Sequence, residues 1–162
     1  PSLPAAFFDL CFVPRHDGLD AGPHVEPTQG VLNDVRPGSG ARTGPVPILV
    51  GGPSAHHGWD ETALLQQIAS LVFGSRERRF TISDSRRTPP STSARLRDFV
   101  QPGVELVSHR ETAPDFVTRA LAEAAEAWVT ADSVSMLFEA LTAGCAVGLL
   151  DVPAKRVDRI SG

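Results

Sequence analysis

Three short runs in this 162-residue chain combine residue types that can hold an anionic ligand. The first is Gly51-Gly52-Pro53-Ser54, directly after the apolar run Val46 to Val50. Two glycines there let a backbone approach a ligand closely. The run is not GxGxxG, and it is not a P-loop, because no lysine follows at the required spacing. Its plainer reading is a tight turn ahead of a helix. The second run is Ser83-Asp84-Ser85-Arg86-Arg87-Thr88-Pro89. It sets two guanidinium groups beside hydroxyls, and arginine presents a fork of donors that suits phosphate. The plainer reading is a solvated loop with a local pair between Asp84 and an arginine. The third run is Thr130-Ala131-Asp132-Ser133-Val134-Ser135, leading to Glu139. Here a strand hands over to a helix N-terminus, whose first N–H groups favour an anion. Asp132, Ser135 and Glu139 fall at i, i+3 and i+7, which places them on one polar stripe. A carboxylate one turn inside such a helix can accept hydrogen bonds from ribose hydroxyls. The plainer reading is a capped helix with a solvated glutamate.

Other candidates carry less. His16-Asp17 is a histidine with a carboxylate neighbour, the makings of an acid or base, or of a capped turn. His56-His57 is adjacent rather than i,i+4 and does not match helical metal-ligand spacing. Cys11 and Cys145 form no disulfide framework and neither has a CxxC partner, which suits a reducing compartment. Cys145, Met136 and Trp128 read as packing residues. No zinc spacing and no Gly-x-Ser-x-Gly elbow occurs, so no metal, no cofactor and no serine hydrolysis is expected.

The elements that must position these runs follow from periodicity. Residues 7–13 read as a strand stopped by Pro14, and residues 14–45, rich in proline and glycine, as a long loop. Beyond them the pattern is regular. Strands are expected at 46–50, 80–82, 104–107, 127–130 and 145–150. Helices are expected from an Asp60 cap to Gly74, over 93–100, over 116–124, and from an Asp132 cap to Gly144. The stripe Val134, Leu137, Phe138 and Leu141 should be the buried face of the last helix. Strand–helix alternation of this kind implies a Rossmann-like, doubly wound parallel sheet. The common orders are 3-2-1-4-5 and one that starts 2-1-3. In the first, the switch point falls between strands 46–50 and 127–130, and ligands bind at the carboxyl ends of such strands.

Composition is consistent with this and excludes other classes. Net charge is −4, with 41% hydrophobic and 21% charged residues, an ordinary globular balance. The mild acidity gives no basic field for phosphate backbones, so nucleic acid is not an expected partner. No apolar run approaches the roughly 20 residues that span a bilayer. The entry at Pro1 into an apolar strand reads as the end of a preceding domain followed by a linker over 1–45, with a truncated Rossmann-like domain over 46–162.

Several motifs, in order, resemble one family. They are Pro14-Arg15-His16-Asp17, Gly22-Pro23-His24-Val25, Thr28-Gln29-Gly30, Val50-Gly51-Gly52-Pro53-Ser54, Ser85-Arg86-Arg87-Thr88-Pro89, and Thr130-Ala131-Asp132-Ser133-Val134-Ser135-Met136 with Glu139-Ala140. Together they are similar to the mitochondrial-fission "elongated mitochondria" family, which has plant members and bacterial members of unknown function. That family in turn looks like the GT-B glycosyltransferases. The resemblance implies the C-terminal half of a two-domain GT-B-type protein, with an N-terminal domain of the parent chain as its partner. It implies a nucleotide-diphosphate sugar as donor and a lipid-linked or other sugar as acceptor. Gly51, Gly52 and Ser54 would lie near the diphosphate, Ser133 and Ser135 at the helix N-terminus, and Glu139 near the ribose. Ser85, Arg86, Arg87, Thr130 and Asp132 complete the implied binding set. Arg15 stands where the family more usually has glutamate, which weakens an acid role for the His16-Asp17 motif. The location implied is cytoplasmic, meeting the inner membrane through the acceptor. The competing implication is a non-catalytic adaptor on the same fold, since plant members are linked to recruiting a dynamin-type GTPase.

Overall fold

Val46 to Leu49 is buried at every position, as a central parallel strand must be. Its side chains alternate between two cores. Ile48 and Val50 belong to one cluster and Leu49 to the other, so the two clusters lie on opposite faces of the sheet. The computed structural model of the chain describes residues 4, 7–15, 21–75 and 77–155. His16 and Asp17 lie outside them. The chain divides into two compact units, Pro1–Asp34 and Val35–Gly162.

The smaller unit carries β1 (Cys11–Pro14) and β2 (Val25–Thr28), paired in parallel. The expected strand over 7–13 is therefore shorter and later, and residues 7–10 stand outside it. Phe7 and Leu10 are exposed, so their hydrophobicity does not mark a buried strand. The expected long loop contains β2, which sequence reading missed. Val-Glu-Pro-Thr carries a proline and has no alternation, so no strand signal reached the surface of the pattern.

The larger unit holds β3 (Val46–Leu49), α1 (Glu61–Gly74), β4 (Phe80–Ser83), α2 (Pro90–Leu96), β5 (Val104–Val107), α3 (Phe116–Glu123), β6 (Glu126–Thr130), α4 (Val134–Ala143) and β7 (Ala146–Leu150). The sheet order is β5-β4-β3-β6-β7, with every pair parallel. This is the 3-2-1-4-5 order, and it makes β3 and β6 the strands flanking the switch point. Leu64, Leu65, Ile68 and Val72 of α1 and Leu96 of α2 pack on the face that Ile48 presents. Leu121 of α3 and Ala140 and Ala143 of α4 pack on the face of Leu49, Ala127 and Val129. Truncating any of the fully buried leucines would cost about 2–5 kcal/mol, because the site cannot collapse around the loss.

Local signals explain the element ends. The Asp60 carboxylate accepts from the Ala63 N–H at 3.0 Å, capping α1. Trp59 donates its indole N–H to Thr92, and Glu61 accepts from Ser91 and Thr92, which ties the start of α1 to α2. Gly144 ends α4 in the left-handed region at φ 83°, where a side chain would be strained. Residues 35–45 lie along the larger unit. Arg42 reaches the carbonyls of Ala124 and Ala143, at the C-terminal ends of α3 and α4. A guanidinium there meets the negative ends of both helices.

The expected face of α4 needs correction. Val134 and Leu141 are exposed, Leu137 and Phe138 are half-buried, and Ala140 and Ala143 are fully buried. The helix approaches the sheet through its small residues, which permit close contact and rotate the larger ones outward. Its cap position is also one residue later than expected, at Ser133. Asp132 does not cap the helix because its carboxylate is used elsewhere.

Candidate switch-point crevice

At the carboxyl end of β3 the chain must turn sharply between β4 and β6, and the glycines make this possible. The Gly51 N–H donates to the Thr130 hydroxyl at 2.8 Å. The Gly52 N–H donates to Asp132 Oδ2 at 3.0 Å. A Cβ on Gly51 would meet the Asp132 carboxylate, and one on Gly52 would land on the Arg87 carbonyl. The two glycines are thus required by close internal approach, and both amides are spent on the β6 end. Thr88 completes the weave. It is buried, and its hydroxyl lies 2.6 Å from the Gly51 carbonyl and 3.0 Å from that of Val50.

Arg87 crosses the same point from the β4 side. Its guanidinium donates to the Gly52 carbonyl at 3.1 Å and pairs with Asp132 Oδ2 at 2.8 Å. The two partners differ in exposure, with the Arg87 side chain 42% exposed and that of Asp132 0%. Asp132 Oδ1 is buried and has no hydrogen-bond partner. A carboxylate in that position holds acceptor capacity that the protein does not fill.

The remaining expected residues distribute around this centre. Arg86 and Ser135 are exposed, Ser133 is buried and Glu139 is half-buried in the second turn of α4. Ser85 braces its own loop, sharing a hydrogen bond with Thr88 at 3.1 Å. Ser54 turns into its own loop, where its hydroxyl accepts from the His56 and His57 N–H groups at 3.2 and 3.0 Å. That loop is fastened to the segment after β7 by the Gly58 to Pro153 and Lys155 to His56 backbone bonds. The structure therefore brings Gly51, Gly52, Arg87, Thr130 and Asp132 into direct contact. Ser54 and Ser85 bond within their own loops, although Ser85 reaches the centre through Thr88.

Sequence reading missed a second arrangement one strand away. Asp84 does not pair with a neighbouring arginine. Its Oδ1 accepts from both the backbone N–H and the ring Nδ1 of His109, at 2.7 and 2.9 Å. Its Oδ2 accepts from the Ser93 hydroxyl at 2.8 Å. Burial would raise the Asp84 carboxyl, but the His109 and Ser93 hydrogen bonds outweigh it and hold the group below the ordinary aspartate range. An ionised carboxylate only accepts, so a neutral His109 must carry its proton on Nδ1. The available signal was positional. His109 follows β5 as Gly51 follows β3, and the same strand-end logic applied to it.

The parallel sheet, its order and the loops gathered at the β3/β6 edge define a Rossmann-like α/β domain. Among the described residues no helix is long and apolar enough to cross a membrane. Among them, too, no group of three or more histidine, cysteine, aspartate or glutamate side chains is arranged to hold a metal ion. The chain belongs to the mitochondrial fission ELM1 family, whose model matches residues 1–162. No curated protein matches the chain.

Proposed function

We propose that the larger unit is the nucleotide-sugar-binding domain of a GT-B-like glycosyltransferase. The observation that carries this reading is the Arg87–Asp132 pair, which joins the loop after β4, where Arg86 is exposed, to the residues leading into α4 beside the switch point of a 3-2-1-4-5 sheet. Ligands of doubly wound sheets bind in that crevice. In this reading the diphosphate meets the arginines and the first-turn N–H groups of α4, beside Ser133 and Ser135. Glu139 takes the ribose hydroxyls. As the bond from sugar to diphosphate breaks, negative charge grows on the leaving group, and preorganised donors at a helix N-terminus stabilise it. Gly51, Gly52, Thr130 and Asp132 build the floor rather than touching phosphate, since their groups already bind one another. The acceptor would be a lipid-linked or other sugar.

That closed weave also favours a second reading. Loops whose amides and charges are satisfied internally can persist as scaffold, and the domain would then serve as a non-catalytic adaptor. Titration calorimetry with uridine, guanosine, cytidine and thymidine diphosphates separates the two. Saturable binding of one of them is expected, weakened about tenfold or more by Arg87→Ala and by Glu139→Ala. An absence of binding across the panel would overturn the donor-domain reading and leave the adaptor.

A further inference from the structure

The Arg87–Asp132 pair has an asymmetry that a purely structural ion pair does not need. The carboxylate is sealed, with its side chain 0% exposed, while the guanidinium that neutralises it is 42% exposed. One carboxylate oxygen carries two bonds, from Gly52 and Arg87, and the other carries none. Asp84 shows the alternative within the same sheet edge, where both oxygens are occupied. A buried carboxylate that lost its cation without replacement would be strongly disfavoured. An anion that pulls Arg87 outward must therefore bring something for Asp132 as well. The Gly52 N–H stays on Oδ2 because it belongs to the loop backbone, and Oδ1 is the oxygen whose acceptor capacity is open, so that is where the replacement donates.

We propose that Arg87 and Asp132 form a latch that opens for a ligand carrying both an anion and a hydroxyl, which makes the preferred ligand class a phosphorylated sugar. The phosphoryl oxygens take the guanidinium, and a hydroxyl of the same molecule donates to Asp132 Oδ1. An anion with no proton to donate, such as sulfate, satisfies only the first half of the exchange and is discriminated against. This selectivity rests on the donor-domain reading of the crevice, and it assigns to Asp132 the choice among anions rather than phosphate contact. No covalent bond changes in the exchange.

The test compares glucose 1-phosphate with sulfate, a tetrahedral dianion that has no proton to donate, by titration calorimetry at one pH and ionic strength. The wild-type chain should bind the sugar phosphate about tenfold or more tightly than sulfate. Asp132→Asn removes the competing charge while an amide oxygen can still accept from Gly52. It should tighten sulfate about tenfold and erase the preference. Equal affinities in the wild type, an unchanged preference in Asp132→Asn, or no binding of either probe by either protein overturns the latch. The four nucleoside diphosphates are titrated in parallel. Binding of one of them without a sugar-phosphate preference sinks the latch and leaves the nucleotide reading, whereas a sugar-phosphate preference with none of the four bound keeps the latch and sinks the nucleotide part of the donor-domain reading. Should Asp132→Asn fail to fold, the wild type still decides. The arginine side-chain resonances of 15N-labelled protein, with Arg87 assigned through Arg87→Lys, should shift for Arg87 under saturating glucose 1-phosphate. An unmoved Arg87 resonance overturns the proposal.

Discussion

Two aspartates stand just past the carboxyl ends of parallel strands on either side of β3, and the molecule treats them differently. Asp84, after β4, accepts three hydrogen bonds and leaves neither oxygen idle. Asp132, after β6, is sealed more completely but answered on one oxygen only, by an amide and by a side chain that reaches in from solvent. The first is a knot, in which both oxygens are held by groups of the fold and the histidine is tied by both backbone and ring. The second is a junction whose stability depends on one long, half-exposed arm. Buried polar groups rigidify a fold when all are satisfied, and they become points of change when one is not.

The largest test of this contrast is at the junction. Gly52→Ala drives a methyl group into the Arg87 backbone carbonyl, which cannot swing away as a side-chain tip would. Denaturant unfolding should show a loss of at least about 3 kcal/mol, at the upper end of overpacking costs. A loss below about 1 kcal/mol would mean that the two loops are not locked together. Next comes Arg87→Ala, which leaves Asp132 charged and unpaired. Breaking a fully buried pair costs about 3–5 kcal/mol, and the exposure of Arg87 reduces this to about 2–3 kcal/mol. Adding Asp132→Asn should recover most of that loss, and a double-mutant cycle by thermal unfolding reads the coupling. Additive effects would remove the distinction between junction and knot.

The smallest effect belongs to the knot. Asp84→Asn should cost about 1–2 kcal/mol at neutral pH, since the amide oxygen still accepts and what is lost is the charge assistance. Its clearer signature is in acid. The His109 and Ser93 hydrogen bonds hold the folded-state Asp84 carboxyl below the ordinary value of 3.8. The stabilisation is therefore complete above the unfolded-state value and disappears as pH falls through the lowered folded-state one. Unfolding free energy should fall less steeply below about pH 4 in Asp84→Asn than in the wild type. Identical slopes would show that the knot adds nothing specific in acid. Glu61 and Glu126 are lowered as well, by Thr92 and Ser91 for the first and, against burial, by Arg78 and Trp128 for the second. Some acid dependence remains in either protein.

The fold was legible where its signals are short in range. The continuous apolar run at 46–50 and shorter apolar-rich stretches further on located β3 to β7, and the Asp60 cap and Gly144 fixed two helix ends. The strand order was narrowed to two possibilities and then decided by tertiary packing. β2 escaped because four residues with a central proline carry no period. The face of α4 was misread because hydrophobic spacing favours large side chains, whereas close packing selected Ala140 and Ala143. At the crevice, residue types and positions pointed to Gly51, Gly52, Arg87, Thr130 and Asp132. Their partners could not be read in advance, because each contact joins residues at least 35 positions apart. His109 was legible in principle, since it follows a strand end as the other loops do.

Arg42 has one more consequence, which concerns chemical reactivity. Beside its two carbonyl contacts it lies 3.9 Å from the Cys145 sulfur, while that thiol is within reach of the Leu121 and Ala124 carbonyls. Burial pushes the Cys145 thiol above its ordinary value, with Arg42 opposing but not overcoming the effect. The thiolate is the nucleophile that attacks alkylating reagents, so the folded site is both closed and chemically dull. Modification of Cys145 then waits for the ends of α3 and α4 to part, and under reagent excess its rate counts those openings. Cys11, half-buried in the smaller unit, reports there instead. The chain thus carries two internal stopwatches, one per unit, without an introduced label.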